Sequence, residues 1–295
     1  MKKKVLSLVF AVVLTVGTLT ACGSSASTGT AETPAAETTA ADTTAEETEA
    51  QGGKITVACS ATPHAEILEA AKPILAEQGW ELEYTVFQDY IQPNEVVDSG
   101  DFDANYFQHQ PYLDSYNEEH GTDLASAGGI HYEPLGIYPG TETDLSAITD
   151  GAVIAIPNDT TNEARALLLL QDNGLITLKA DAGINATILD VEENPHNIDF
   201  QEMEAAQISH VLSEVSFAVL NGNYAMQAGL NASTDAIAYE TSESQAAQTY
   251  VNIICVKAGN EEQPGIKALV DVLKSDDIKS FINEKYQGAV VPFED

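Results

Sequence analysis

One arginine occurs in the 295-residue chain. It is Arg165, in "IPNDTTNEARALLLL", just after an apolar strand-like run and at the start of a helical one. Thr160 and Glu163 stand at capping-box spacing, which predicts a helix starting there with Arg165 in its second turn. A cation so close to a helix N-terminus is mildly unfavourable. The free N–H groups of that turn attract anions, however, and a guanidinium offers a planar fork that holds a carboxylate through two hydrogen bonds. Together they make a carboxylate receptor. The plainer alternative is a structural salt bridge to one of the chain's many acids.

A second group of chemistry-bearing side chains is the stretch "DANYFQHQPYLDSY", 103–116, with Tyr90 shortly before it. Alternation along a strand places Phe107 and His109 on one side and Tyr106 on the other. Tyr90, Phe107, His109 and Tyr112 fall at a strand end and the turn after it. Aromatic rings there can box an apolar or sulfur-bearing group, each thioether–ring contact contributing about 0.3–1.5 kcal/mol. Ordinary core aromatics are the alternative, and Trp80 reads as packing. The six histidines (64, 109, 120, 131, 196, 210) form no HxH, HxxxH or HExxH pair, so no local metal motif is present. A scattered site of three histidines and a carboxylate is the alternative, and the expectation is no metal. There is no GxSxG, GxGxxG or P-loop, and no Ser–His–Asp arrangement. We therefore expect no catalytic residues, no cofactor and no enzyme. With 12 basic against 46 acidic residues and a formal charge of −34, the chain has no basic surface for nucleic-acid phosphates.

The elements that would position these residues begin with an address label. Met1-Lys2-Lys3-Lys4 is followed by an uncharged apolar run to Ala21 and by Cys22, giving a signal peptide over 1–21. Residues 22–53 are Ala, Thr, Glu, Ser and Gly with almost no large apolar side chain, the composition of a disordered acidic linker. From Lys54 onward, strand-like runs ("KITVAC", "ELEYTVF", "FDANYF") alternate with helical ones ("HAEILEAAKPILAEQG", "PYLDSYNEEHG"). After "EPLGIYPG" the pattern restarts with "GAVIAIPN", the Arg165 helix, a strand "ATILDV" and a helix "EAAQISHVLSEV". "SFAVLNGNYAMQAGL" then runs from strand to helix, "TYVNIICVK" is a return strand, and helices over 265–274 and 276–286 follow. The fold class expected is α/β with largely parallel sheets in two lobes, the second inserted into the first: lobe 1 over 54–138 and 240–295, lobe 2 over 139–239. The cleft of such a fold lies at the carboxyl ends of the strands, between the lobes. Cys59 and Cys255 sit in apolar strand-like runs and read as free buried thiols.

These stretches together resemble a family, the methionine-binding lipoproteins of methionine ABC transporters (the MetQ/NlpA group). The resemblance is carried by "PHAEIL", "DYIQPN", "DANYFQHQPYLD", "HGTDL", "EPLGIY", "IPNDTTNEARALLLLQ", "NGNYA", "YVNII" and "EKYQGAVVP", with a lipobox ending at Cys22. It covers essentially all of 54–295. It implies a periplasmic-binding-protein fold, type II-like, that closes over one ligand without covalent chemistry. By resemblance, Tyr90, Phe107, His109 and Tyr112 box the thioether, Arg165 and Asn162 hold the carboxylate, and Asn221 contacts the head group. Thr160 and Ala164 stand where the family pattern has proline and glycine, and Tyr106 where it has phenylalanine. The implied ligand is methionine, with L- and D-forms both open. Another small amino acid or a methionine-containing dipeptide is the alternative, and a metal receptor or a hydrolase the rival of a different class. The implied partners are an ABC permease with its ATPase, and the membrane through a lipid on Cys22. That places the protein on the outer face of the bacterial cytoplasmic membrane.

Overall fold

The computed structural model describes residues 52–241 and 245–294. The signal peptide, Cys22 and nearly all of the linker expected from the sequence lie outside the described residues. The chain starts as β1 (Gly53–Cys59), whose inward residues Ile55, Val57 and Cys59 are buried. A tight turn over Ala61–Ala65 leads into α1 (Glu66–Glu77), which buries Ile67, Leu68, Ala71 and Leu75, the residues spaced for one helical face. Gly79, at φ +87°, stops the helix and starts β2 (Trp80–Val86). Then come α2 (Gln92–Asp98), β3 (Ala104–His109), α3 (Gln110–His120) and β4 (Leu124–Tyr132).

The chain then crosses into a second sheet at β5 (Gly136–Pro139), followed by β6 (Val153–Pro157) and α4 (Thr160–Asp172). A small ribbon, β7 (Thr177–Leu178) with β8 (Val191–Glu193), precedes β9 (Asp199–Met203) and α5 (Ala205–Ile208). β10 (Phe217–Leu220), α6 (Gly222–Gln227), α7 (Ala232–Asp235) and β11 (Ala238–Tyr239) complete this part. After α8 (Gln245–Thr249), β12 (Val251–Lys257) returns to the first sheet, and α9 (Pro264–Leu273), α10 (Asp276–Tyr286) and β13 (Val291–Pro292) close the fold.

The first sheet has the order β13-β4-β12-β3-β1-β2 and the second β11-β5-β10-β6-β9. This is the two-lobe α/β architecture, with the second lobe inserted into the first. Because β5 already pairs with β10 in the second sheet, the chain enters it at Gly136 and not after 138. The sheets are mixed rather than largely parallel: β1 runs parallel to β2 and β3, but β12 lies antiparallel between β3 and β4. Each sheet has its own apolar core. One joins β1, α1, α9 and α10 through residues such as Val57, Leu75, Leu269 and Ile282. The other joins β6, β10 and α4 through Ile154, Leu167, Leu170 and Phe217.

Other local expectations gave way to tertiary contacts. "ATILDV" is a 3-10 turn and not a strand, because Asp190 accepts from Thr187 N–H at 3.1 Å and Thr187 Oγ1 at 3.2 Å, closing the chain locally. The helix expected over "EAAQISHVLSEV" shortens to four-residue α5 plus a 3-10 turn over Ser209–Val211. Val215 and Ser216 instead accept from the backbone N–H groups of residues 140–142 at 2.8–3.2 Å. The nine-residue β4 was not legible, since its Gly128 and Gly129 mimic a loop. A side chain at these positions would begin 2.9 Å from Val270 and 2.8 Å from Val251, so close packing demands both glycines.

Candidate functional site

A cavity lies between the lobes. The first lobe contributes Tyr90 from the turn before α2, Phe107, Gln108 and His109 from β3, Tyr112 from α3, and Asn252 from β12. The second contributes Asn162 and Arg165 from α4, and Asn221, Gly222 and Asn223 from the start of α6. Glu133 sits on the connection between the sheets and also lines the cavity. All seven side chains named from the sequence are therefore brought to one cavity. Phe107 and His109 of β3 line it while Tyr106 faces the first core, and the Gln108 side chain between them is held by Asn94 and Asn105.

Tyr90, Phe107 and Tyr112 pack mutually, with ring centroids 5.7–5.9 Å apart. Tyr224 lies 5.0 Å from Tyr90 on the far side. Offset and edge-on rings at these distances are mutually attractive and leave an apolar wall. Tyr112 donates its hydroxyl to the Tyr90 carbonyl at 3.0 Å, and Tyr90 donates to Asn223 Oδ1 at 2.6 Å, linking the lobes.

His109 caps α3: its Nδ1 accepts from Tyr112 N–H at 3.2 Å. That fixes the tautomer, so Nε2–H donates across the cleft to Asn162 Oδ1 at 3.2 Å. Burial, helped by the nearby Arg165 charge, lowers its pKa to about 3, so the ring is neutral. Asn162 Oδ1 also accepts from Asn221 Nδ2 at 2.8 Å, and its own amide donates to Asp159 Oδ1 at 2.8 Å. Asp159, not Thr160, is the N-cap of α4, accepting from Asn162 N–H at 3.1 Å. Thr160 is the first helical residue, and Glu163 reaches away to Ile188 N–H at 2.8 Å. Asn162 is thus an organiser that aligns His109 and Asn221.

Arg165 is 4% exposed, and the contacts it makes are those of the structural salt bridge. Its Nε donates to Glu240 Oε1 at 2.8 Å and its Nη2 to Glu240 Oε2, a buried structural salt bridge. Burial opposes the charge, but Glu240 outweighs it and holds the pKa above the ordinary arginine value. Nη2 also donates to the Glu133 carbonyl at 2.9 Å, and the guanidinium lies 4.2 Å from the Tyr250 ring centroid. One edge of the fork is therefore engaged. Nη1 carries no hydrogen bond among the described residues. Glu240 in turn accepts from Tyr132 OH at 2.6 Å and Leu135 N–H at 2.9 Å.

Glu133, buried beside Arg165, was missed from the sequence because nothing local marks it. His131 Nε2 donates to its Oε1 at 2.8 Å, and His64 Nε2 lies 3.3 Å from the same oxygen and 2.9 Å from Asn252 Oδ1. Tyr106 donates to His131 Nδ1. Burial lowers His64 to about 4 and His131 to about 3, so both are neutral N–H donors, while burial raises Glu133 to about 7. His64, His131 and Glu133 are also donor types for a metal, with ligand atoms within 4.8 Å of one another. Each ring N–H already has an acceptor in this network.

Asp103 and Asp114, acids inside the aromatic stretch, are structural. Asp103 Oδ2 accepts from Thr56 N–H at 2.8 Å and its hydroxyl at 2.7 Å, and Asp114 Oδ1 accepts from Gln110 at 2.7 Å. Cys59 and Cys255 are buried free thiols, each pushed up to about 12 by burial. No helix among the described residues is long and apolar enough to cross a membrane.

Comparison with known proteins bears on this geometry. The chain is 42% identical over 250 residues to the methionine-binding lipoprotein MetQ of Bacillus subtilis, covering 82% of this chain and 90% of the relative. Among solved structures, a lipoprotein from Ruminococcus gnavus is 65% identical with a TM-score of 0.81, covering 82% of this chain and 99% of that one. A nutrient binding protein from Burkholderia cenocepacia bound to methionine is 43% identical with a TM-score of 0.78, covering 81% of this chain and all (100%) of that one. The family model described as NlpA lipoprotein matches residues 55–294, from β1 to beyond β13, and the chain belongs to that family.

Proposed function

We propose that this chain is an extracytoplasmic substrate-binding lipoprotein that captures methionine and delivers it to an ABC permease and its ATPase. The observation that carries the reading is one interlobe cavity with an aromatic wall at one end and a buried arginine with a free Nη1 at the other. The names of relatives support it: a methionine-binding lipoprotein at 42% identity and a solved neighbour bound to methionine. In this reading Tyr90, Phe107 and Tyr112 surround the thioether, and Arg165 Nη1 meets the carboxylate. His109, Asn162 and Asn221 hold the head-group end in register. Lobe 1 is then 54–135 with 240–295, and lobe 2 is 136–239. Hydrogen bonds that span the cleft, His109 to Asn162 and Tyr90 to Asn223, stabilise the closed form. A ligand touching both lobes shifts the population toward closure by its differential affinity. No covalent step is involved.

A lipid on Cys22 would hold the protein at the outer face of the cytoplasmic membrane and raise its effective concentration near the permease. Replacing Cys22 with Ala should move the protein from the membrane to the soluble fraction. The direct test is calorimetry on methionine-free protein with methionine, leucine, glycine and zinc. Methionine should bind most tightly, and no binding of methionine would overturn the reading.

A further inference from the structure

We propose that Glu133, held in place by His64 and His131, is the acceptor for the ligand's α-ammonium group, so that the site selects ligands with a free amino group. This deepens the proposed function and rests on it. Among the residues lining the cavity, Arg165 is the one permanent cation and Glu133 the one carboxylate. Arg165 donates to the backbone carbonyl of Glu133 itself, so the two charges belong to one small patch. An α-amino acid carries its ammonium and carboxylate on a single carbon and needs such a pairing. A second acceptor is present as well: Asn221 lines the same cavity, and its buried Oδ1 has no hydrogen-bond partner among the described residues. An ammonium has three donors and no acceptor, which suits two neighbouring acceptors.

The surroundings make Glu133 a fixed acceptor. His64 comes from the turn before α1, His131 from β4 with Tyr106 of β3 behind it, and the Asn223 N–H of α6 also hydrogen-bonds the carboxylate. Arg165 of α4 is the facing charge, and Tyr90 and Tyr286 are further ionisable groups within electrostatic reach. Gly222 completes the fit, since a Cβ there would begin 2.8 Å from Glu133 Cβ and 3.0 Å from its Oε2. Both histidines are neutral, so neither competes as a cation. A buried carboxylate whose hydrogen-bond donors are all neutral is poised to take a cation from a ligand. With its pKa near 7 in the free protein, Glu133 must be ionised to receive the ammonium, so binding releases a proton at acidic pH.

The test compares methionine with 4-(methylthio)butanoate, which has no amino group, by calorimetry on methionine-free wild type and Glu133→Gln. Loss of the amino group should weaken wild-type binding at least 100-fold. In Glu133→Gln, methionine should weaken at least 30-fold while the deaminated analogue changes less than threefold, so discrimination collapses. A second readout needs no variant: wild-type affinity for methionine should fall about tenfold per pH unit below about 7, and that for the analogue should not. If Glu133→Gln keeps the full discrimination, or if the two ligands share one pH profile, the assignment is overturned. It is likewise overturned if zinc binds the wild type through Glu133 and methionine is indifferent to the substitution. Absence of methionine binding to wild type is a different result, because it overturns the function on which this rests.

Discussion

Arg165 has a structural role in its contacts and a ligand-binding role in the proposed function, and the two would fall on different nitrogen atoms. Nε and Nη2 hold buried Glu240, and Nη1 carries no hydrogen bond among the described residues. Arg165→Ala should therefore fail twice. Methionine affinity should drop more than 100-fold in calorimetry, the scale expected for losing a buried charged contact. Stability should fall by about 3–5 kcal/mol in urea unfolding, because Glu240 is left as an unpaired buried charge. An arginine that served only as a surface carboxylate receptor would show the first effect without the second. Tyr90→Phe probes a smaller contact. The ring stays in the aromatic wall, but the hydrogen bond to Asn223 across the cleft is lost. One hydrogen bond of about 0.5–1.5 kcal/mol predicts a 2- to 12-fold weaker methionine affinity with little change in unfolding.

At the scale of elements, two helix starts arrange the second-lobe half of the site. α4 presents Asn162 and Arg165 from its first two turns because Asp159 caps it and grips the Asn162 amide as well. Asp159→Ala should cost about 0.5–2 kcal/mol of stability from the lost cap. It should also weaken methionine binding several-fold, because Asn162 is freed from its alignment, whereas a purely structural cap would leave affinity unchanged. β4 offers the converse case. Gly128→Ala crowds Val270 of α9, far from the cavity lining, at 2.9 Å. It should destabilise by about 1–3 kcal/mol in denaturant titration and leave calorimetric affinity intact.

At the scale of the molecule, buried histidines set the response to acid. His64, His109 and His131 fold as neutral groups with pKa values of about 4, 3 and 3. The unfolded chain protonates each near 6.5. Between about 6.5 and 4 the unfolded state therefore binds more protons, and stability falls as pH drops through that window. Glu133 works in the opposite sense, since its folded pKa of about 7 lies above its unfolded value, so its contribution grows on acidification from 7 to about 4.5. Asp159 and Glu163, also raised by burial, act in the sense of Glu133 at lower pH, so the three histidines dominate the upper part of the window. Urea unfolding at pH 7.5 and pH 5.5 should show a clear drop, and equal midpoints would mean that the histidines are not buried neutral. At the same scale, hydrogen bonds between lobes far apart in sequence span the cleft, so in the proposed function a ligand touching both lobes would shift the population toward closure.

What the sequence determined by itself was whatever local pattern encodes. The alternation of strand and helix, the apolar face of α1, the placing of Phe107 and His109 opposite Tyr106, and the lone arginine at a helix start all depend on spacing within a few residues. The tertiary structure decided what depends on chain crossings. β12 inserts between β3 and β4, so Asn252 meets His64 across 188 residues of sequence. Glu240 meets Arg165 across 75 residues, supplying the acid that the salt-bridge reading left unnamed. Glu133, His64 and His131 are unremarkable singly, and become a buried acceptor only because the connection between sheets carries Glu133 beneath α6 and against the turn before α1. A carboxylate's chemistry is set by desolvation and by the donors around it, and those are properties of the packed interior, which no short stretch of sequence contains.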